Sequence, residues 1–114
     1  MTNEEASVKM AEMAKVDVGL STYTVNGKRE VIMRNGKLWN PQKNIAQMLE
    51  VLRSLRSKGI CYCMSNESSS VGVALFEGDL IDEDTFICQR SAGIDEESEA
   101  GFQAVKAYLE EVEW

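Results

Sequence analysis

Histidine is absent from this chain, and its absence removes several kinds of chemistry. Without an imidazole there is no Ser–His or Cys–His nucleophile pair and no metal site built on histidine. The sequence also lacks a phosphate-binding P-loop and a G-x-G-x-x-G dinucleotide motif. No residue is singled out as catalytic, cofactor-binding or metal-binding, so we expect a protein without enzymatic activity.

Long apolar runs and a secretory leader are missing as well. No stretch reaches the roughly 18 apolar residues that a membrane-spanning helix needs. The opening residues, MTNEEASVKMAEMAK, contain glutamates and no apolar central region, which is not the pattern of a signal peptide. We therefore expect a cytoplasmic protein that does not enter a membrane.

Proline and cysteine are both scarce. One proline and eight glycines in 114 residues argue against a long disordered region, and the length fits a single domain over residues 1–114. The three cysteines are an odd number and indicate free thiols rather than a disulfide framework. Cys61 and Cys63 share one face of a predicted strand. With Cys88 they could supply three thiolates to a metal, but core packing is the favoured interpretation.

Charge is distributed unevenly along the chain. Residues 1–66 contain ten Lys/Arg and six Asp/Glu, whereas residues 67–114 contain two and thirteen. The simplest interpretation is a pair of solvated faces; the sharper ones are head-to-tail pairing of copies and an acidic surface that engages a basic protein. The candidate protein-contact residues are Asp79, Asp82, Glu83, Asp84, Glu96, Glu97 and Trp114.

The hydrophobic pattern predicts an α+β fold in the order α-ββ-α-βββ-α, with helices packed on a mostly antiparallel sheet. A first helix over residues 3–15 begins at a Thr2 capping box, and a hairpin over 22–33 turns at Asn26-Gly27. Strands are predicted at 60–64, 71–76 and 85–90, the second of them central. A last helix, capped by Asp95 or Ser98, presents Phe102, Val105, Leu109 and Val112.

The clearest local signal is the segment WNPQKNIAQMLEVLRSLRSKG, residues 39–59. It predicts a helix with Asn40 as N-cap, Pro41 in the first turn and Gly59 just past the end. Trp39 is expected either to pack against Ile45 as a hydrophobic staple or to lie over the core as a lid. The predicted apolar face of the helix consists of Ile45, Met48, Leu49, Leu52 and Leu55.

The sequence gives weaker support to two further binding modes, calcium binding and nucleic-acid binding. The acidic loop EGDLIDED at 77–84 does not place its ligands as a calcium-binding EF-hand loop does, so a solvated loop is favoured. The basic residues between 28 and 58, together with Tyr23 and Trp39, could contact nucleic acid. A sequence pI near 4.6 and the lack of a recognisable motif speak against that partner.

Three segments together carry a family resemblance: LWNPQKNIAQMLEVLRSLRSKG, VGVALF and EESEAGFQAVKAYL. They resemble the phage ABA-sandwich domains and the related NinX-like small proteins of lambdoid phages, a family of unknown function. The matching positions are Trp39, Asn40, Pro41, Asn44, Ala46, Leu49, Gly59, Glu99 and Ala100. The resemblance supplies no active site. It implies a phage or prophage accessory protein that acts in the host cytoplasm.

Three functional hypotheses follow. The preferred one is a non-catalytic phage accessory protein that binds a host or phage protein and inhibits it through its acidic half, for instance by imitating nucleic acid. The alternative is a small enzyme or ligand-binding protein that uses surface carboxylates or Cys61, Cys63 and Cys88. The third is a homo-oligomer held by opposite charges. A deep pocket lined by acids or thiols would favour the second.

Overall fold

The chain alternates helices with antiparallel strands in the predicted order, in a computed structural model that describes residues 1–25, 28–78, 81 and 83–111. The elements are α1 (Asn3–Met13), β1 (Val18–Val25), β2 (Lys28–Met33), α2 (Ile45–Ser54), a 3-10 helix (Leu55–Lys58), β3 (Ile60–Asn66), β4 (Ser70–Glu77), a short 3-10 helix (Glu83–Thr85), β5 (Phe86–Gly93) and α3 (Glu97–Glu111). The predicted α+β class is confirmed. The strands form two antiparallel sheets, β1-β2 and β3-β4-β5.

The predicted start of α1 is confirmed at the level of its cap. The Thr2 hydroxyl oxygen accepts a hydrogen bond from the Glu5 N–H at 3.1 Å, so one unpaired amide of the first turn is satisfied. The helix buries Ala6, Ser7 and Met10 against the rest of the molecule.

The hairpin is longer than predicted on its first strand. β1 begins at Val18, which pairs with Met33, and an irregularity interrupts the register between Leu20 and Thr24. The predicted Asn26-Gly27 turn lies outside the described residues.

The predicted start of α2 is wrong by one turn. The N-cap is Asn44, whose side-chain oxygen accepts from the Gln47 N–H at 3.1 Å, and residues 41–43 form a turn before it. Both asparagines are good caps, and proline suits the second position of a turn as well as the first turn of a helix. Asn40 instead donates its backbone N–H to Gln47 Oε1 at 2.7 Å.

One residue of the predicted apolar face of α2 is also wrong. Ile45 is 43% exposed, whereas Met48, Leu52 and Leu55 are fully buried as predicted. Val51, which the prediction leaves out, is fully buried too. Ile45 occupies the first turn of the helix, beyond the edge of the core. The predicted end is confirmed: Gly59 has a φ of +76° and closes the 3-10 helix that follows α2.

The three-stranded sheet has β4 in its centre, as predicted, with β3 and β5 on either side. α3 packs across β4 and β5 and also against α2. Gly101 allows this close helix contact, because a Cβ there would lie 2.9 Å from Met48 Cγ. The largest fully buried side chains are Trp39, Phe102, Met10, Met48, Leu52, Leu55, Leu75 and Leu109.

Neither predicted cap begins α3, which starts at Glu97: Ser98 lies inside its first turn, and Asp95 stands in the preceding turn with a φ of +62°. Phe102, Val105 and Leu109 are buried as predicted. Val112 lies outside the described residues.

Over the described parts of the chain, none of the helices has the length and apolar character needed to cross a membrane.

Candidate functional site

The two faces of the β3-β4-β5 sheet have different surroundings. On one face Tyr62, Leu75 and Cys88 stand in a row across the strands, and the Cys88 Sγ–H donates to the Ala104 carbonyl of α3 at 3.4 Å. That face is therefore covered by α3. The opposite face carries Cys61, Cys63, Ser65, Gly72, Ala74, Phe76, Phe86, Gln89 and Ser91.

The three thiols are divided between these two faces. Cys61 and Cys63 share the face away from α3, as their spacing predicted, since they pair with Phe76 and Ala74. Cys88 is buried beneath α3, and burial raises the pKa of its thiol, with Glu111 adding to the rise and Arg90 opposing it. The three-thiolate metal site considered from the sequence is therefore not assembled.

A β-bulge changes the direction of one side chain in β5. Leu75 opposes Cys88 while its neighbour Phe76 opposes Phe86, so Ile87 is an extra residue in the ladder. Regular alternation would place Phe86 on the same face as Cys88. The bulge instead brings Phe86 to the face away from α3, where its ring meets Phe76 edge to face at a centroid distance of 5.8 Å.

This aromatic pair forms one wall of an open depression of about 410 Å³, lined by Phe76, Ile81, Glu83 and Phe86. We call it the acidic depression, because the exposed Glu83 lines it and the exposed Asp84 is the next residue in the chain. Phe86 is 49% exposed and Ile81 is 60% exposed. Large apolar side chains are thus presented to solvent beside carboxylates.

The predicted contact acids of the loop occupy different places. Glu83 lines the acidic depression, and Asp84 follows it in the short 3-10 helix, where both are exposed. Asp79 and Asp82 lie outside the described residues. Glu77, at the end of β4, is on the α3 side; together with burial, which is the larger cause, it raises the pKa of the Tyr108 hydroxyl.

Glu96 and Glu97, two further predicted contact residues, are not brought to this surface. Glu96 and Glu97 follow the far end of β5, and that strand of eight residues spans about 23 Å. Glu96 folds back toward Gly93, where its Oε1 would meet an added Cβ at 2.7 Å. Trp114 lies outside the described residues. Among the described members of the predicted contact set, Glu83 and Asp84 are therefore separated from Glu96 and Glu97 by the length of β5.

A second open depression, of about 480 Å³, lies in the other half of the chain. It is lined by Leu38, Asn40, Lys43, Asn44, Ile45 and Gln47. We call it the basic depression, because residues 34–47 contain three Lys/Arg and no acid. Leu38 is 45% exposed and Ile45 is 43% exposed. Gln47 fixes the site by donating its Nε2–H to the Leu38 carbonyl at 3.0 Å.

The sequence does not predict the exposed apolar side chains of either depression. Helical spacing predicts Ile45 on the buried face of α2, and the strand pattern predicts Phe86 within a regular strand. The one sequence signal for the acidic depression is an apolar pair, Leu80-Ile81, within a run of acids.

The aromatic proposed for nucleic-acid stacking is not accessible. Trp39 is only 2% exposed, and its indole N–H donates to the Ser7 carbonyl at 2.9 Å. The side chain of Tyr23 lies outside the described part. A stacking platform needs exposed rings, so the basic half loses the main support for a nucleic-acid interface.

Within the described ranges, the carboxylates and thiols are not clustered as a metal ion requires. Among the residues that the structure describes, no group of three or more Cys, Asp or Glu side chains is placed to hold a metal. What the geometry offers is two shallow, partly apolar surfaces of opposite charge.

Comparison with models of protein families, with curated proteins and with solved structures finds no match for this chain. The resemblance to phage proteins accordingly rests on the motifs quoted above. The surfaces themselves are therefore the evidence for what this chain binds.

Proposed function

We propose that this chain is a non-catalytic phage or prophage accessory protein that binds a host or phage protein in the cytoplasm, with the acidic depression as its contact surface. The observation that carries the proposal is the exposure of Ile81 and Phe86 next to Glu83. Acids alone are explained by solvation. Two large apolar side chains exposed to water beside Glu83 are not explained by solvation.

The energetics favour a binding role for these side chains. Complete burial of an Ile or Phe side chain is worth about 1.5–3 kcal/mol, so covering the exposed halves of these two contributes about 1 kcal/mol each. Protein interfaces commonly place aromatic anchors at their centre and polar groups at their rim. Phe86 and Ile81 fit the first role and Glu83 the second.

The acidic rim favours a basic partner surface. Complementary charge speeds the encounter and disfavours acidic competitors. A basic protein surface is also what binds nucleic-acid phosphates, so an acidic protein seated there would compete with nucleic acid. Inhibition by this competition is the specific form of the proposal. Its phage origin and its location in the host cytoplasm are supported by the sequence resemblance alone.

The test uses two isoleucines of matched exposure. Ile81 is 60% exposed in the acidic depression, and Ile94 is 61% exposed beyond the other end of β5. Tagged wild-type protein, Ile81→Ser and Ile94→Ser are cross-linked in bacterial lysate, and the captured proteins are identified. We expect Ile81→Ser to lose the wild-type partner and Ile94→Ser to retain it. Equal capture by all three proteins contradicts the proposed surface.

The inhibitory form has its own readout. Once a partner is captured, added duplex DNA should displace the wild-type protein from it, and Glu83→Gln should weaken the complex. Displacement by DNA supports competition for one basic site. A complex that is indifferent to DNA leaves protein binding in place and rejects nucleic-acid mimicry.

A further inference from the structure

The same chain carries two exposed apolar surfaces whose flanking charges are opposite. In the acidic depression Ile81 and Phe86 stand beside Glu83. In the basic depression Leu38 and Ile45 stand beside Lys43. Each surface therefore offers the other an apolar contact together with a charge of opposite sign.

The two surfaces lie at opposite ends of α2 and its 3-10 extension. Asn44, which lines the basic depression, caps the start of α2. At the other end the Gly59 carbonyl accepts from the Gly78 N–H at 2.6 Å, and Cys61 pairs with Phe76 of the acidic depression. The helical residues between the two ends span about 20 Å. One molecule cannot bring its own two surfaces together across that distance, but two molecules can.

We propose that the acidic depression of one copy receives the basic depression of a second copy, head to tail. Ile81 and Phe86 then pack against Leu38 and Ile45, with Glu83 facing Lys43. This contact uses the surface assigned above to a partner protein, so self-association and partner binding exclude each other. It does not depend on that partner and can be tested in its absence.

The arrangement determines the kind of assembly that forms. A contact between two different surfaces leaves one free surface of each kind at the two ends of a pair, so it continues into rings or open chains rather than stopping at a dimer. Each surface is small, which places the contact in the weak, transient class. Because both charged groups are exposed, salt weakens the attraction between them.

The experiment measures the mass of the purified full chain by sedimentation equilibrium over a range of concentrations. It is run at about 20 mM and at about 500 mM NaCl, where screening differs several-fold. We expect the mass to rise with concentration above the 12.7 kDa of one chain at low salt and to stay near it at high salt.

Charge reversals identify the surfaces. Glu83→Lys and Lys43→Glu each place like charges opposite one another and should weaken self-association by about tenfold or more. An equimolar mixture of these two variants restores association, because each variant retains one native surface. Glu67→Lys, in the turn between β3 and β4, changes the net charge by the same amount as Glu83→Lys. It is the matched control for that variant and should associate like wild type.

Specific outcomes overturn the inference. A wild-type protein that remains monomeric at low salt rejects it. Association that is lost in Glu83→Lys but unchanged in Lys43→Glu also rejects the head-to-tail pairing. Circular dichroism of the variants excludes misfolding as the cause of a loss. Capture of a partner in lysate is read independently, so failure of self-association leaves the proposed function standing, and the reverse also holds.

Discussion

The indole N–H of Trp39 donates a hydrogen bond to the backbone carbonyl of Ser7 at 2.9 Å, across 32 residues of sequence. Trp39 is almost fully buried, and its own backbone N–H donates to Val31 of β2. Trp39 therefore joins α1 to the hairpin, with its ring bonded to α1 and its backbone bonded to β2. A buried indole N–H needs a partner, and the helix carbonyl provides it.

Replacing Trp39 by Phe tests how much the hydrogen bond from the indole N–H to the Ser7 carbonyl contributes to stability. The variant keeps an aromatic ring but leaves the Ser7 carbonyl without the indole donor, and we expect a loss of about 1–3 kcal/mol in the free energy of unfolding. Trp39→Ala, which also opens a cavity, should cost about 3–5 kcal/mol. Urea denaturation followed by circular dichroism measures both. Ser7→Ala is the control for the acceptor, because it retains the backbone carbonyl; a loss equal to that of Trp39→Phe would contradict this explanation.

The cap of α2 can be tested with two asparagines four residues apart. Asn44→Ala removes the side-chain oxygen that accepts from Gln47, and we expect it to cost about 1 kcal/mol of stability. Asn40→Ala should cost clearly less, because Asn40 bonds to Gln47 through its backbone N–H, which the substitution retains. Thermal or urea unfolding of the two variants measures the difference. The opposite ranking would restore Asn40 as the cap.

The α2 segment shows what sequence pattern can and cannot determine. Spacing of apolar residues predicts the helix, the buried residues Met48, Leu52 and Leu55 and the end at Gly59, because these depend on local periodicity and backbone conformation. The pattern could not choose between Asn40 and Asn44, since both are favourable caps. That choice depends on the bonds of Gln47 to the preceding loop, which are tertiary information.

The acidic depression was beyond reach of sequence reasoning for a related reason. Strand β5 was predicted, but alternation assigns Phe86 to the same face as Cys88. The extra residue at Ile87 reverses that assignment, and no local signal marks the bulge. The acids of segment 77–84 were visible in the sequence, whereas the aromatic pair that gives them a surface was not. In the same way, the sequence shows that the two halves of the chain carry opposite charge, but it does not predict the two depressions.

Thiol reactivity should follow the division of the cysteines between the two sheet faces. Cys88 is buried with a raised pKa, so its thiolate is scarce and shielded; Cys61 and Cys63 are half-buried on the face away from α3. We expect iodoacetamide at neutral pH to label the latter two first and Cys88 only on unfolding. Mass spectrometry of peptides from timed samples gives the order. Early labelling of Cys88 in folded protein would contradict its placement beneath α3.

The raised pKa of the Cys88 thiol makes the stability of the fold depend on pH in alkaline solution. Because the folded state raises the pKa of Cys88 above its ordinary value of 9.0, the folded protein holds this proton more tightly than the unfolded chain does. This contribution is complete below pH 9 and is lost as pH rises through the folded pKa. Tyr108 adds a similar loss from its ordinary value of 10.0 upward. Urea midpoints of wild type and Cys88→Ala should therefore converge as pH rises above 9.

The contact between α3 and α2 gives the last prediction. Gly101 faces Met48, and an added Cβ would lie 2.9 Å from Met48 Cγ and 3.4 Å from its Sδ. Alanine favours a helix by about 1 kcal/mol over glycine, whereas overpacking costs about 1–3 kcal/mol, so Gly101→Ala should destabilise by up to about 2 kcal/mol. If crowding at Met48 is the cause, Met48→Ala should cost less in the Gly101→Ala background than in wild type. A double-mutant cycle in urea measures this coupling. Additive costs would show that the two helices separate instead, which places the constraint in the backbone and not in the methionine side chain.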